Sequence, residues 1–146
     1  MKKLKKYITV GLLSLISLSA SASCSISSSS MNFGPYNPFS ESNLYTSAHI
    51  NINCLNDTDV VIKTTSMIDR NQLRTMNNIQ YPEQNDVLAY QLFIDPARNQ
   101  LFGDGNNNTV VYSGINKNFA LYGTLLKKQN VFKGIYQDNI MVEINY

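Results

Sequence analysis

The feature that most constrains the fold of this chain is an alternation of apolar and polar residues with a period of two. A period of two over about 4–8 residues is typical of a β-strand with one face in a core and the other in solvent. The pattern recurs along the chain, whereas helical periodicity does not. The positions on the more apolar face are Ile50, Ile52 and Cys54; Val60, Ile62 and Thr64; Leu88, Tyr90, Leu92 and Ile94; Phe119, Leu121, Gly123 and Leu125; and Ile140, Val142, Ile144 and Tyr146.

Turn-forming residues separate these segments. Glycine, proline, asparagine and aspartate cluster at residues 34–38, 56–57, 95–96, 103–106 and 133–134. Short strands with turns at this spacing predict an all-β sandwich. The serine-rich residues 23–30 are predicted to form an edge strand. The stretch 66–86 shows no clear period, so we expect a long polar connection there.

The first 22 residues have the three parts of a secretory signal peptide. Four lysines lie before position 7, an apolar run covers residues 7–18, and Ala20-Ser21-Ala22 offers small side chains at a cleavage site. A membrane anchor and a lipidated Cys24 are the alternatives. The run is short for a hydrocarbon core of about 30 Å, and no bulky aliphatic residue precedes Cys24 as a lipoprotein signal would require. We therefore expect cleavage of residues 1–22, export of a single domain of residues 23–146, and no membrane span in the mature chain.

Removal of this leader reverses the sign of the net charge. The whole chain of 146 residues carries twelve lysines and arginines and ten acidic residues, a formal charge of +2. Residues 23–146 retain eight basic and ten acidic residues, which gives −2. A mildly acidic domain offers no basic surface for nucleic acid, so we expect no nucleic-acid partner.

The chain has two cysteines, Cys24 and Cys54, and an exported domain is oxidised. We expect them to pair and to close a loop worth about 3–4 kcal/mol of stabilisation in the chain-entropy model. The competing interpretation is a catalytic thiol assisted by His49, the single histidine. That histidine lies at an odd spacing from Cys54 and would face the opposite side of an extended strand, which favours the disulfide.

Common catalytic motifs of hydrolases, zinc proteases, redox enzymes and phosphate-binding loops are not found in the sequence. We therefore expect no enzymatic activity, no cofactor and no metal. The segment Asp104-Gly105-Asn106 offers oxygen ligands but lacks the glycine and the distant glutamate of a calcium loop. A hairpin turn is the better interpretation of that segment.

Several segments, taken in order, resemble the spore coat protein U domain family. The first, Phe33-Gly34-x-Tyr36-x-Pro38, follows the first cysteine and is similar to the F-G-x-Y-x-P motif of that family. The others are the alternating strand that ends at Cys54; Arg74-x-Met76; Leu88-x-Tyr90-x-Leu92-x-x-Asp95; Gly103-Asp104-Gly105; Tyr122-Gly123; and Lys133-Gly134-x-Tyr136-x-Asp138. The resemblance covers essentially all of residues 23–146.

The resemblance implies an immunoglobulin-like sandwich that lacks one strand. In archaic chaperone–usher pili, which use this domain, a periplasmic chaperone supplies that strand and an extension of the next subunit replaces it. The implied function is a secreted structural or adhesive subunit of a bacterial pilus, active in cell adhesion and biofilms. The implied partners are a periplasmic chaperone, an usher and neighbouring subunits, met first in the periplasm and then in a fibre at the cell surface. The alternative is a self-contained secreted binding module for a carbohydrate or a surface.

The predicted cleavage site suggests a position in such a fibre. With cleavage after Ala22, only Ser23 precedes Cys24, so we expect no segment to donate. The last apolar strand should form an edge that accepts a strand; its residues are Ile140, Val142, Ile144 and Tyr146. These two expectations together favour a terminal, tip-like acceptor subunit. The alternative is that residues 25–31 close the sandwich internally.

Overall fold

The computed structural model describes residues 24–54, 59–64, 73–115 and 118–145. The predicted leader and Tyr146 lie outside these residues. The strands are β1 (Cys24–Ser28), β2 (Leu44–Cys54), β3 (Val60–Thr64), β4 (Arg74–Asn78), β5 (Val87–Phe93), β6 (Tyr112–Gly114), β7 (Asn118–Leu125), β8 (Tyr136–Gln137) and β9 (Val142–Asn145), and a short 3-10 helix covers Pro82–Gln84. No helix in the described ranges is long and apolar enough to span a membrane.

The strands form two antiparallel sheets. In the large sheet the order is β1-β2-β7-β5-β4-β8, and in the small sheet it is β6-β3-β9. Several neighbouring strands are distant in sequence: Ile50 in β2 lies opposite Phe119 in β7, and Ile62 in β3 lies opposite Ile144 in β9. The two sheets confirm the predicted all-β, sandwich-like fold.

The core lies between the inner faces of the sheets, and the period-two pattern predicts which residues enter it. In β2, Ile50 and Ile52 are buried whereas Asn51 and Asn53 are exposed. The core residues are Ile50, Ile52, Val60, Ile62, Leu88, Tyr90, Leu92, Phe102, Phe119, Leu121 and Leu125. Because alternate side chains of a strand point to opposite faces, the local pattern is sufficient to identify the buried face.

The predicted disulfide is confirmed. Cys24 in β1 and Cys54 at the end of β2 lie directly opposite one another in the antiparallel register, and their sulfur atoms are bonded. β1 forms one edge of the large sheet, as the serine-rich sequence predicts. The bond therefore fastens an edge strand of the large sheet to its only paired neighbour among the described strands.

The predicted polar connection over residues 66–86 is wrong for the part that the structure describes. Residues 65–72 lie outside the described residues, but β4 covers Arg74–Asn78 and the 3-10 helix follows. The strand was not apparent from the sequence because its buried positions are polar: Arg74 is 4% exposed and Asn78 is 3% exposed. Hydrophobic periodicity cannot identify a strand whose inner residues are charged or amide side chains.

The expected hairpin turn at residues 104–106 is also wrong. Phe102 and Val110 form a parallel bridge, so the chain does not return antiparallel to itself. The loop is held by side chains: the Asn106 backbone N–H donates to Asp104 Oδ1 at 2.9 Å, and Thr109 Oγ1 donates to the Asn106 carbonyl at 2.6 Å. The hydrogen bonds that Asp104 accepts from the Asn106 side-chain amide, and then from the Asn106 backbone N–H, lower the pKa of its carboxyl.

Candidate functional site

A groove crosses the inner face of the large sheet between two chain segments, residues 28–38 and residues 131–142. It consists of two cavities of about 510 and 420 Å³. Both cavities are lined by Met31, Met76 and Tyr136, so they lie next to each other. We call the whole feature the central groove.

The two ends of the central groove differ in chemistry. The larger cavity, which we call the aromatic end, is lined by Phe33, Tyr36, Val131 and Phe132 among others. The smaller cavity, which we call the polar end, has polar residues on both rims. These rim residues are Ser28, Ser29, Ser30, Gln137, Asp138 and Asn139.

The floor of the central groove is made of buried side chains from four strands of the large sheet. They are Ala48 and Ile50 of β2, Met76 of β4, Leu88, Tyr90 and Leu92 of β5, and Leu121 and Leu125 of β7. All of them except Met76 are at most 6% exposed. Most of these side chains belong to the hydrophobic core, so the floor is continuous with the interior of the domain.

Residues 28–38 form the first wall of the groove and residues 131–142 form the second. The groove is open because these two walls pair with other strands and not with each other. In the first wall, the Ser29 N–H donates to the His49 carbonyl at 2.9 Å, and this bond ends the described β1–β2 ladder. In the second wall, β9 pairs with β3 and forms the edge of the small sheet in the described chain. An edge strand presents a row of backbone groups that can bind another strand. The apolar floor therefore lies beside a strand edge.

Gly123 in β7 explains how the first wall sits on the floor. A Cβ atom at this position would lie 2.5 Å from Met31 Sδ and 2.8 Å from Phe33 Cζ. The absence of a side chain lets both residues pack directly on the strand backbone. Phe33 also meets Tyr90 edge to face, with ring centroids 5.9 Å apart.

Tyr36 and Gln129 fasten the same wall at the aromatic end. The Gln129 N–H donates to the Tyr36 hydroxyl at 2.6 Å. The Gln129 side-chain amide accepts from the Ala89 N–H at 2.6 Å and donates to the Ala89 carbonyl at 2.9 Å. The Gln129 side chain thus pairs with the backbone of β5 just beyond the end of β7. It links Tyr36, in the first wall, to the floor of the groove.

The second wall depends on Gly134, Asn78 and Tyr136. A Cβ atom at Gly134 would lie 2.5 Å from Asn78 Oδ1, so glycine permits the close approach. Asn78 Nδ2 donates to the Tyr136 hydroxyl at 3.3 Å, and that hydroxyl donates to the Phe132 carbonyl at 2.7 Å. Burial raises the pKa of the Tyr136 hydroxyl. Tyr136 is thereby held across the junction of the two cavities.

A polar network lies in the floor at the polar end. The Tyr90 hydroxyl donates to Asp138 Oδ2 at 2.6 Å. Burial, and then the hydrogen bond to Asp138, raise the pKa of Tyr90 well above its ordinary value, so this hydroxyl remains a donor. Arg74 lies opposite Tyr90 in the pairing of β4 with β5. Burial lowers the pKa of the Arg74 guanidinium, and its attraction to Tyr90 and Asp138 opposes that shift.

The structure brings together the first and last segments of the predicted family motif. Phe33, Gly34, Tyr36, Pro38, Gly134 and Tyr136 all line the aromatic end, and Tyr136 and Asp138 line the polar end. Ile140 and Val142 of the predicted acceptor edge also line the polar end. Gly103, Asp104 and Gly105 do not line the central groove; Gly103 packs under Thr109 in the loop before Val110.

Sequence reasoning did not assign Met31, Gln129 or Asn78 to the groove. Met31 and Asn78 carried no signal because neither belongs to a recognised alternating segment. Gln129 acts through a side-chain amide that pairs with a strand 40 residues away, and no local pattern encodes such a contact. The same holds for the buried Arg74, whose polar character concealed β4.

The described residues contain no group of three or more His, Cys, Asp or Glu side chains placed to hold a metal ion. His49 is exposed on β2, where its backbone N–H donates to Ser29 Oγ at 2.9 Å. The chemistry of the groove is therefore that of an apolar cleft with one hydrogen-bonded carboxylate.

Comparison with solved structures identifies a similar fold. One match is a chain of the crystal structure of the CsuC–CsuE chaperone–tip adhesion subunit pre-assembly complex from archaic chaperone–usher Csu pili of Acinetobacter baumannii. It is 19% identical, with a TM-score of 0.58, over 86% of this chain. The chain spans 40% of that structure's chain. No curated protein matches the sequence.

A family model accounts for most of the sequence. It matches residues 11–143, which include both walls and the whole floor of the central groove. The match agrees with the resemblance that the ordered motifs indicate. The chain belongs to the Spore Coat Protein U domain family.

Proposed function

We propose that this domain is a structural or adhesive subunit of a bacterial chaperone–usher fibre and that it accepts a β-strand from another chain in the central groove. One observation carries the proposal: a buried apolar floor lies beside the edge of β9, between walls that do not pair with one another. Strand addition at a sheet edge uses backbone hydrogen bonds for affinity and side-chain pockets for specificity. The central groove offers both.

Membership of the family and similarity of fold support the proposal. The similar solved chain comes from a complex of a chaperone with a tip adhesion subunit. By that analogy, the partners of this protein are a periplasmic chaperone, an usher and neighbouring subunits, and its route leads through the periplasm to a surface fibre. The groove itself supplies the physical reason for a chaperone, because an exposed strand edge beside apolar side chains promotes aggregation.

The experiment is thermal unfolding of the purified domain with synthetic donor peptides taken from subunits encoded beside it. A scrambled peptide of the same composition is the control. Binding to the native state raises the melting temperature in proportion to the logarithm of ligand concentration. We expect the donor peptides to raise it and the scrambled peptide to leave it unchanged. A domain that is monomeric and cooperatively folded, and whose melting no peptide shifts, would instead be a self-contained binding module.

A matched pair of variants locates the binding. Ile140 lines the polar end of the groove, whereas Ile115 is 64% exposed and lies outside both cavities. We expect Ile140→Asn to abolish most of the peptide-induced shift and Ile115→Asn to preserve it. The same loss in both variants would place the peptide elsewhere on the domain.

We further propose that the mature chain begins at Ser23 and that the subunit occupies a fibre end, most simply the tip. Cys24 is already part of β1 and is bonded to Cys54. Cleavage after Ala22 would leave one residue ahead of β1, whereas a strand that spans a groove needs about ten residues at 3.3 Å each. The intact mass of the exported protein tests this: residues 23–146 without lipid are expected, and a longer N-terminus or a lipidated Cys24 would contradict it.

A further inference from the structure

Asp138 places a charged group in a groove that is otherwise mostly apolar. Its Oδ2 atom accepts the hydrogen bond from the Tyr90 hydroxyl at 2.6 Å. Its second oxygen, Oδ1, has no hydrogen-bond partner among the described residues. A carboxylate can accept several hydrogen bonds, so Oδ1 can still accept one from a group that enters the groove.

The charge of this carboxylate already has a counterpart. Arg74 lies opposite Tyr90 in the sheet and is 4% exposed, and it interacts electrostatically with both Tyr90 and Asp138. A second cation brought into the groove would be repelled by Arg74, and an anion would be repelled by Asp138. A neutral hydrogen-bond donor meets the remaining need of the carboxylate without disturbing this balance.

A strand that covers the polar end would exclude water from Asp138. An acceptor that is buried without a partner weakens binding by about 5- to 150-fold. The cost falls on strands that are apolar at this position and not on strands that offer a hydroxyl or amide there. Such a penalty produces specificity by rejecting the wrong partner.

We propose that the central groove selects donor strands that carry a neutral hydrogen-bond donor, Ser, Thr, Asn or Gln, opposite Asp138 and bulky apolar side chains over the aromatic end. The occupant is an extended segment of another polypeptide. This inference rests on the proposed function and adds to it the chemistry that the partner strand must have.

A threonine scan on the wild-type domain tests the inference. The parent is a twelve-residue peptide with valine at every second position, and each valine in turn is replaced by threonine, which has nearly the same shape. We expect threonine to bind about tenfold more tightly than valine at one position, and valine to be preferred at the others. Valine binding as well as or better than threonine at every position would overturn the inference.

The same measurements separate this inference from the proposed function. Peptides that bind and raise the melting temperature without any threonine preference leave the proposed function intact and contradict the inference. Peptides that do not bind at all contradict both.

A pair of variants assigns the preference to the carboxylate. Asp138→Ala should remove the threonine preference, whereas Glu83→Ala, in the exposed 3-10 helix away from the groove, should retain it. A preference that survives in Asp138→Ala would overturn the role of Asp138. Should that variant fail to fold, the scan on the wild-type domain still decides the matter.

Discussion

Strands β7 and β9 have the same alternating sequence pattern but very different surroundings. β7 pairs with β2 on one side and with β5 on the other, and its inner residues Phe119 and Leu125 are 2% and 1% exposed. β9 pairs with β3 alone in the described chain, and Val142 and Ile144 are only half buried. A strand that is paired on both edges, such as β7, has its apolar face fully buried. A strand with the same pattern that is paired on one edge, such as β9, leaves part of its apolar face uncovered.

The difference shows that an alternating pattern identifies which face of a strand must be buried. The pattern does not identify which chain covers that face. The inner face of β7 is buried within the domain itself. In β9, Val142 and Ile144 both contact the core, and Val142 also lines the central groove. The half-buried state of β9 is what the proposed strand acceptance requires, and the following predictions test that comparison.

The largest expected effect is a cavity in the completed region. Leu125 is 1% exposed and contributes to the floor, so Leu125→Ala should lower the free energy of unfolding by about 3–5 kcal/mol. Urea unfolding followed by circular dichroism measures the change. A loss below about 1 kcal/mol would mean that β7 is no better packed than β9.

The second effect concerns β1. Like β9 it is an edge strand, but a disulfide bond joins it to its neighbour. Replacement of Cys24 and Cys54 by alanine should cost about 3–4 kcal/mol, because the disulfide closes a loop between residues separated by 30 positions. Urea unfolding of the variant and of the oxidised wild type measures it, with reduced wild type as the control. Equal midpoints for all three proteins would contradict the stabilising role.

The third effect distinguishes β9 from β7 most directly. In the free domain, Val142→Ala should cost about 1 kcal/mol, since the side chain is only half buried. With a donor peptide bound, the cost should rise toward that of a buried valine, because Val142 lines the central groove and the added strand would cover it. Unfolding with and without saturating peptide measures both values; an unchanged cost would mean that the peptide does not cover β9.

The smallest effect is a pH dependence of the β3–β9 pair. The hydrogen bond from Asn145, and then the Lys63 ammonium 3.3 Å away, lower the pKa of the Glu143 carboxyl. A lowered folded-state pKa stabilises the fold above the unfolded value, and that contribution is lost as the pH falls through the folded value. Below about pH 4.3, the ordinary value for glutamate, the difference between wild type and Glu143→Gln should shrink. Carboxyl chemical shifts measured by NMR give the titration, and a Glu143 pKa at or above the ordinary value would contradict it.

Much of the fold could be predicted from short-range patterns. The alternation at Ile50 and Ile52, at Leu88 to Leu92 and at Phe119 to Leu125 identified strands and their buried faces, because neighbouring side chains on a strand point to opposite sides. The alternation did not identify β4, because its buried residues Arg74 and Asn78 are polar. The loop at Asp104 was misread as a hairpin because its shape depends on contacts with Thr109 and Val110.

By itself the sequence determined the all-β class, the pairing of the two cysteines and the family. These properties depend on local periodicity, on the number of cysteines and on short ordered motifs. Only the tertiary structure decided that Phe33 rests on Gly123, that Tyr90 meets Asp138 and that residues 28–38 and 131–142 face each other across an open groove. The physical reason is that these contacts join residues that are at least 48 positions apart in the sequence. Their geometry follows from the order and register of the strands, which no local pattern encodes.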